Sequence, residues 1–279
     1  MKVTTLLENS SLNEHFVSEH GLSLYIKTEA NTILFDTGKT DAFLKNAEKL
    51  NLDLKEVDTV IISHGHYDHI GGLIHFLNMN QKATVYLKRA VFDFQYVSIR
   101  TNEKKNIGYP TELLKYKNRC IFLENTTISF DNLHIIPTIH KIYTLPKGNN
   151  LLYKQNGKTL IKDDFEHELV FAINTAKGIH LFSGCAHNGI LNMVSAVKSA
   201  LPNSPIKTIM GGFHLVDTTP SMETETDLEL TAIARELKRL ANGATYYTGH
   251  CTGQNASKKL AAIFKNHLQK LATGKEIII

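Results

Sequence analysis

The chain is short of cysteine, of net charge and of long apolar runs, and each shortage removes a class of protein. Cysteine occurs only at positions 120, 185 and 251 of 279 residues. An odd set that small does not make a disulfide framework. The 31 basic residues exceed the 27 acidic ones by four, too little for general nucleic-acid binding to be the first reading. No stretch approaches the roughly 20 apolar residues of a membrane span. The opening residues, MKVTTLLENSSLNEHF, contain no apolar core of signal-peptide length. A cytoplasmic protein with no membrane partner and no specific nucleic-acid partner is therefore expected. Low-complexity linkers and internal repeats are also missing, and the length suits one mixed α/β domain spanning 1–279.

What the chain does have is histidine, 14 of them, in a scaffold whose periodicity alternates between strand and helix. LSLYIKTEANTILFDTG reads as two strands joined by a turn at 29–31. In TDAFLKNAEKLNLD, Phe43, Leu44, Ala47 and Leu50 recur at helical spacing behind Thr40 or Asp41 as a cap. VDTVIIS, ATVYL and LHIIP are further strands, and HELVFAI with GIHLFSG forms a hairpin around 175–178. Later the order becomes helix from about 190, strand IKTIMGG, helix through Leu230 to Ala241, strand ATYYTGH, and helix over about 255–271. The segment 89–119 breaks this pattern, mixing aromatic and basic residues around Gly108 and Pro110. It is expected to be a cap or loop inserted into the core domain.

The buried strand VDTVIIS runs straight into His64, Gly65, His66, Tyr67, Asp68 and His69. A helical metal motif spaces its ligands by three or four residues. Here the alternation fits a strand end, so that His64 and His66 reach one ion while Asp68 and His69 reach a second. Imidazole with carboxylate suits zinc first, with manganese or iron as alternatives. Gly71 and Gly72 then let the backbone pass close beneath the site.

SHGHYDH resembles the signature of the metallo-β-lactamase fold superfamily. LFDTG, SGCAHNGILN, GGFHL and GHCTG follow in the order of the branch that holds dihydropterin-ribofuranosylaminobenzene phosphate synthases and related bacterial metal-dependent hydrolases. The resemblance spans residues 19 to about 253. It implies an αββα sandwich with two divalent ions at one edge. It assigns His64 and His66 to the first ion, Asp68, His69 and His250 to the second, and Asp36 to orienting a ligand histidine. The middle ligands stay open: Cys185 stands where relatives bridge the ions with aspartate, and His187 and His167 compete for the missing histidine. His187 ranks first, His167 second and Cys185 third.

The activity so implied is hydrolysis of a small, anionic ester by a metal-activated hydroxide, with Asp68 and His214 as catalytic candidates. The alternative is a transferase, in which Phe94, Tyr96 and Tyr109 would stack on a pterin. A metal-binding protein without catalysis ranks third. Tyr67, Arg100 and Tyr109 are candidates for substrate contact, and Arg89, Lys104 and Lys105 add positive charge to the excursion. No role is assigned to His15, His20, His75, His134, His140, His180 or His267, although His20 is expected near the cleft. Oligomeric state is not written in the sequence.

Overall fold

A computed structural model describes residues 1–101, 103–219 and 222–279; Asn102, inside the excursion, and residues 220–221 lie outside the described residues. Two seven-stranded sheets carry the fold. The first runs, in space, Glu276–Ile278, Lys2–Leu7, Ser23–Lys27, Thr32–Phe35, Thr59–Ile61, Thr84–Lys88 and Cys120–Leu123. The second runs Leu268–Lys270, Thr245–Thr248, Ile206–Met210, Gly178–Phe182, Val170–Thr175, Leu133–Ile136 and Ile128–Phe130.

Strand alternation decides the layering. Ile33 and Phe35 point into a core shared with Phe171, Ile173, Phe182 and Met210 of the second sheet. Leu34, between them, packs outward with Phe43, Ala47 and Phe76. In the second sheet Ala172, Leu181 and Ile209 turn away from the shared core, towards the helices Ile190–Ala200, Asp227–Leu240 and Gln254–Phe264. The result is the expected helix–sheet–sheet–helix sandwich. Phe35, Phe171 and Phe182 lie with centroids 5.4–6.2 Å apart between the sheets. Truncating one such buried ring typically costs about 3–5 kcal/mol, so the core does not depend on a metal. Among the described residues no helix is long and apolar enough to cross a membrane.

Two expectations change. The helix placed at about 255–271 ends at Phe264, and Leu268–Lys270 instead pairs in parallel with Thr245–Thr248. Leu268 continues the helical spacing of Leu260 and Phe264, but the sheet's unpaired backbone edge offers stronger partners. The excursion 89–119 is also divided. Gln95–Arg100 and Glu103–Asn106 join Leu152–Asn156 and Thr159–Lys162 in a separate four-stranded sheet, which caps the strand ends. Thr111–Arg119 returns to the outer core through Leu113. Half of the cap therefore comes from residues near 152–162, which carry no strong strand pattern of their own.

Candidate metal centre

The functional side chains leave the ends of neighbouring strands at one edge of the sandwich. Asp36 follows Thr32–Phe35, the histidine cluster follows Thr59–Ile61, and Cys185 and His187 follow Gly178–Phe182. His214 follows Ile206–Met210, and His250 follows Thr245–Thr248. Parallel pairing of Ile206–Met210 with both of its neighbours puts three of these ends side by side.

At one pole, ligand atoms of Asp68, His69, Cys185 and His250 lie within 4.8 Å of one another. His69 Nε2 is 3.0 Å from His250 Nε2 and 3.2 Å from Cys185 Sγ. Asp68 Oδ2 is 3.3 Å from His250 Nε2. The outer ring nitrogens fix the tautomers. His69 Nδ1 sits 2.6 Å from Asp36 Oδ2, an atom that only accepts, so the hydrogen is on Nδ1. His250 Nδ1 donates to Asn9 Oδ1 at 3.0 Å. Two imidazole lone pairs then face each other, which demands a cation between them. Nitrogens on one tetrahedral zinc, with bonds of about 2.0–2.1 Å, would sit roughly 3.3 Å apart. Burial disfavours charge on His69, but Asp36 and Asp68 outweigh it and raise the ring to about 9. This pole is built for positive charge, as a proton in the protein alone or as an ion.

At the other pole, the Nε2 atoms of His64, His66 and His187 are buried with no hydrogen-bond partner. Their ring centroids are 4.7–4.9 Å apart. Ser63 gives its hydroxyl proton to Asp36 Oδ2 at 2.7 Å, so His64 Nδ1 must donate to Ser63 Oγ at 2.8 Å. His187 Nδ1 donates to Asn149 Oδ1 at 3.1 Å. Burial pushes all three imidazoles below their ordinary range, His64 and His187 furthest. They are neutral, with lone pairs turned inward, the state in which imidazole binds metal. Leaving one buried polar atom unpaired costs about 1–3 kcal/mol; three together fit an ion. Cys185 belongs to both poles, since its sulfur also lies within 4.8 Å of His64 and His187 ligand atoms. Burial raises its thiol well above the usual value in the protein alone.

His167, expected second among the middle ligands, lies with His66 and Asp163 in a third cluster whose ligand atoms are within 4.8 Å of one another. Its Nδ1 accepts the Gly65 N–H at 3.0 Å, and its Nε2 donates to Asp163 Oδ2 at 3.1 Å. With both nitrogens engaged it holds the loop between His64 and His66 instead of offering a lone pair. Tyr109 is likewise buried in the outer core, its hydroxyl on the Phe92 carbonyl at 3.3 Å. Tyr96 is 4.0 Å from the His167 ring and nearly inaccessible. Neither is free to stack on a substrate. Tyr67, Arg100 and His214 line a cavity of about 610 Å³ together with His66, Asp68, Cys185, His187 and His250. His214 is buried, with neither ring nitrogen bonded, and its ring is 4.1 Å from that of His187.

Several supporting residues go beyond the sequence reading, which had placed only His20 of them near the cleft. Glu8 accepts the His250 N–H, Asn9 holds the His250 ring, and His20 Nε2 is 3.2 Å from Asp68 Oδ2. Glu168 accepts the N–H groups of His187 and Asn188 at 2.8 and 2.7 Å. The available signal was an acid and an amide, Glu8 and Asn9, ending the apolar strand that starts the chain.

The family model of the metallo-beta-lactamase superfamily matches residues 19–121. The 7,8-dihydropterin-6-methyl-4-(beta-D-ribofuranosyl)-aminobenzene-5'-phosphate synthase of Methanocaldococcus jannaschii is 30% identical, over 99% of this chain and 96% of its own length. Tm1679, a metal-dependent hydrolase of the beta-lactamase superfamily, has a TM-score of 0.84 and 29% identity, covering 100% of this chain and 99% of that one. Zinc-bound PqqB from Methylobacterium extorquens reaches a TM-score of 0.59 over 100% of both chains at 12% identity, a likeness of fold alone. By its sequence along its whole length and by its fold, this chain belongs to the metallo-beta-lactamase superfamily.

Proposed function

We propose that the chain is a two-metal hydrolase acting on a small anionic ester, a phosphoester first. The observation that carries this reading is the trio of unpartnered buried Nε2 atoms of His64, His66 and His187 beside the facing His69 and His250 nitrogens, with His66, His187 and His250 lining one cavity. His64, His66 and His187 would hold one ion, Asp68, His69 and His250 the other, with Cys185 between them. Zinc suits this donor set best, and manganese or iron are the alternatives. Ions bound there supply Lewis acidity and make water acidic enough to react near neutral pH.

The chain's own groups do the rest. Burial works against the charge on Asp68, but His69, His20 and His250 hold its carboxyl well below the usual range. It stays ionised, and His20 fixes one oxygen, so it can orient an attacking water. His214 faces the cavity with free ring nitrogens and is the candidate to protonate the leaving group. Losing such a group typically costs about 10²–10⁴ in rate. Ile107, Leu152 and Met222 line the same cavity and exclude bulk water from part of its wall.

The test is turnover of bis(4-nitrophenyl) phosphate by the metal-loaded protein and by His66→Ala. Loss of at least about 10³-fold in kcat/KM, with the fold retained, supports the reading. Full turnover in the variant refutes it. The second reading, a transferase, is favoured by the full-length 30% identity to the synthase. Reaction in ¹⁸O-water separates the two: a hydrolase places the label in product, and a transferase does not.

A further inference from the structure

Resting on the reading that this cavity takes an anionic ester, we propose a second anion subsite on the inner face of the cap hairpin. Ser98, Arg100 and Lys105 would hold there a terminal phosphate of the substrate, separate from the group that reacts at the metal centre.

The register of the hairpin builds this site. Gln95–Arg100 pairs antiparallel with Glu103–Asn106, with Ser98 opposite Lys105 and Arg100 opposite Glu103. Residues opposite one another, and residues two apart on one strand, share a face. Leu152, from the neighbouring strand, is opposite Ser98 on the other side. All five residues line the cavity, so the cap turns this row towards the site.

Three observations point to an anion. The Ser98 hydroxyl is buried, at 6% exposure, and has no hydrogen-bond partner. An unpaired buried hydroxyl costs free energy unless a ligand completes it. The Arg100 side chain has neither an ion pair nor a hydrogen bond among the described residues; Glu103 is its partner in the strand register, but their side chains form no ion pair. Among the described residues the polar and ring contacts of Lys105 Nζ are with Tyr67, 3.2 Å from its hydroxyl and 5.1 Å from its ring centre. That contact sets the ammonium beside the residue that follows His66. The other acids of the cavity wall are already used: Asp68 meets His20 and His250, and Asp217 accepts the N–H groups of Gln254 and Asn255.

Two unneutralised cations and a hydroxyl donor match a phosphate monoester, with a charge of about −1.5 to −2 and three acceptor oxygens. They match a carboxylate, with one charge and two oxygens, less well. The arginine fork can take two phosphate oxygens while lysine and serine share the third.

The experiment is calorimetric titration of the metal-loaded protein with inorganic phosphate and, separately, with acetate. Arg100→Ala, Lys105→Ala and Ser98→Ala are compared with the wild type, and Lys158→Ala, on the exposed outer turn of the cap, serves as control. The expected result is phosphate binding weakened about tenfold or more by Arg100→Ala and by Lys105→Ala, and less by Ser98→Ala. Lys158→Ala should match the wild type, and acetate should bind more weakly than phosphate. The proposal is overturned if phosphate does not bind, if the Arg100 and Lys105 variants bind it as the wild type does, or if acetate binds more tightly. The readout is binding, so a chain that binds phosphate through these residues but turns over no ester would refute the hydrolase reading and leave the subsite standing.

Discussion

The two poles of the centre are held by different chemistry. At the pole of Asp68, His69 and His250 a carboxylate stands behind His69, where Asp36 takes the Nδ1–H at 2.6 Å, and the neutral Asn9 amide stands behind His250. Behind His64 and His187 stand neutral groups, the Ser63 hydroxyl and the Asn149 amide. The consequences diverge. His69 is raised to about 9, whereas His64 and His187 fall well below their ordinary range. One pole attracts a cation by charge; the other presents neutral lone pairs whose only reward is coordination. A supporting residue therefore tunes a ligand as much as the ligand's own identity does.

The largest expected effect comes from breaking the charged support. Asp36 also accepts the Ser63 N–H and O–H, both at 2.7 Å. Asp36→Ala strands three buried donors, and unfolding by denaturant should show a loss of about 3–5 kcal/mol. A loss under about 1 kcal/mol would mean that the carboxylate does not organise this pole. Next, His187→Ala should remove one metal equivalent, read by metal analysis of the purified protein. Cys185→Ser should keep more metal than His187→Ala, because an oxygen still stands between the poles. The reverse order would show the thiolate to be the stronger ligand.

Asn149→Ala is expected to do less, weakening the first-pole ion about tenfold in a chelator competition. An equal loss at the second pole would erase the distinction between them. The smallest effect is expected from Asp163→Asn. The amide oxygen can still accept from His167 Nε2, so stability should change by less than about 1 kcal/mol. The buried charge 3.8 Å from His66 Nε2 is lost, so first-pole affinity should fall a few-fold. Unchanged affinity would reduce Asp163 to a purely structural partner.

These poles were unequally visible in the sequence. His64, His66, Asp68 and His69 sit within six consecutive residues, and a contiguous motif at a strand end needs no tertiary information. Strands that are short continuous apolar runs, such as Thr32–Phe35 and Val170–Thr175, were legible for the same local reason. Apart from Asp36 and the placement of His20 near the cleft, the groups that hold the ligands were not. Asn149 and Asp163 lie in the stretch that feeds the cap, and Glu8, Asn9 and His20 reach His250 and Asp68 across more than 40 residues of chain or more than one loop. His167 was placed beside the first pole by the sequence, but its contacts with Gly65 and Asp163 are tertiary and were not legible there. The cap's second hairpin escaped because TLIK is mostly exposed and the buried face of LYKQN carries a lysine, Lys154, beside Leu152.

The account turns on two ions held by two differently supported sets. The most direct measurement is stepwise zinc titration of metal-free protein against a competing chelator, with X-ray absorption on the filled sample. The predicted result is two equivalents per chain of unequal affinity, the tighter one lost in Asp36→Ala and the weaker in His66→Ala, with a sulfur neighbour in the absorption spectrum. A single equivalent, or two equivalents that both survive His66→Ala, would contradict it.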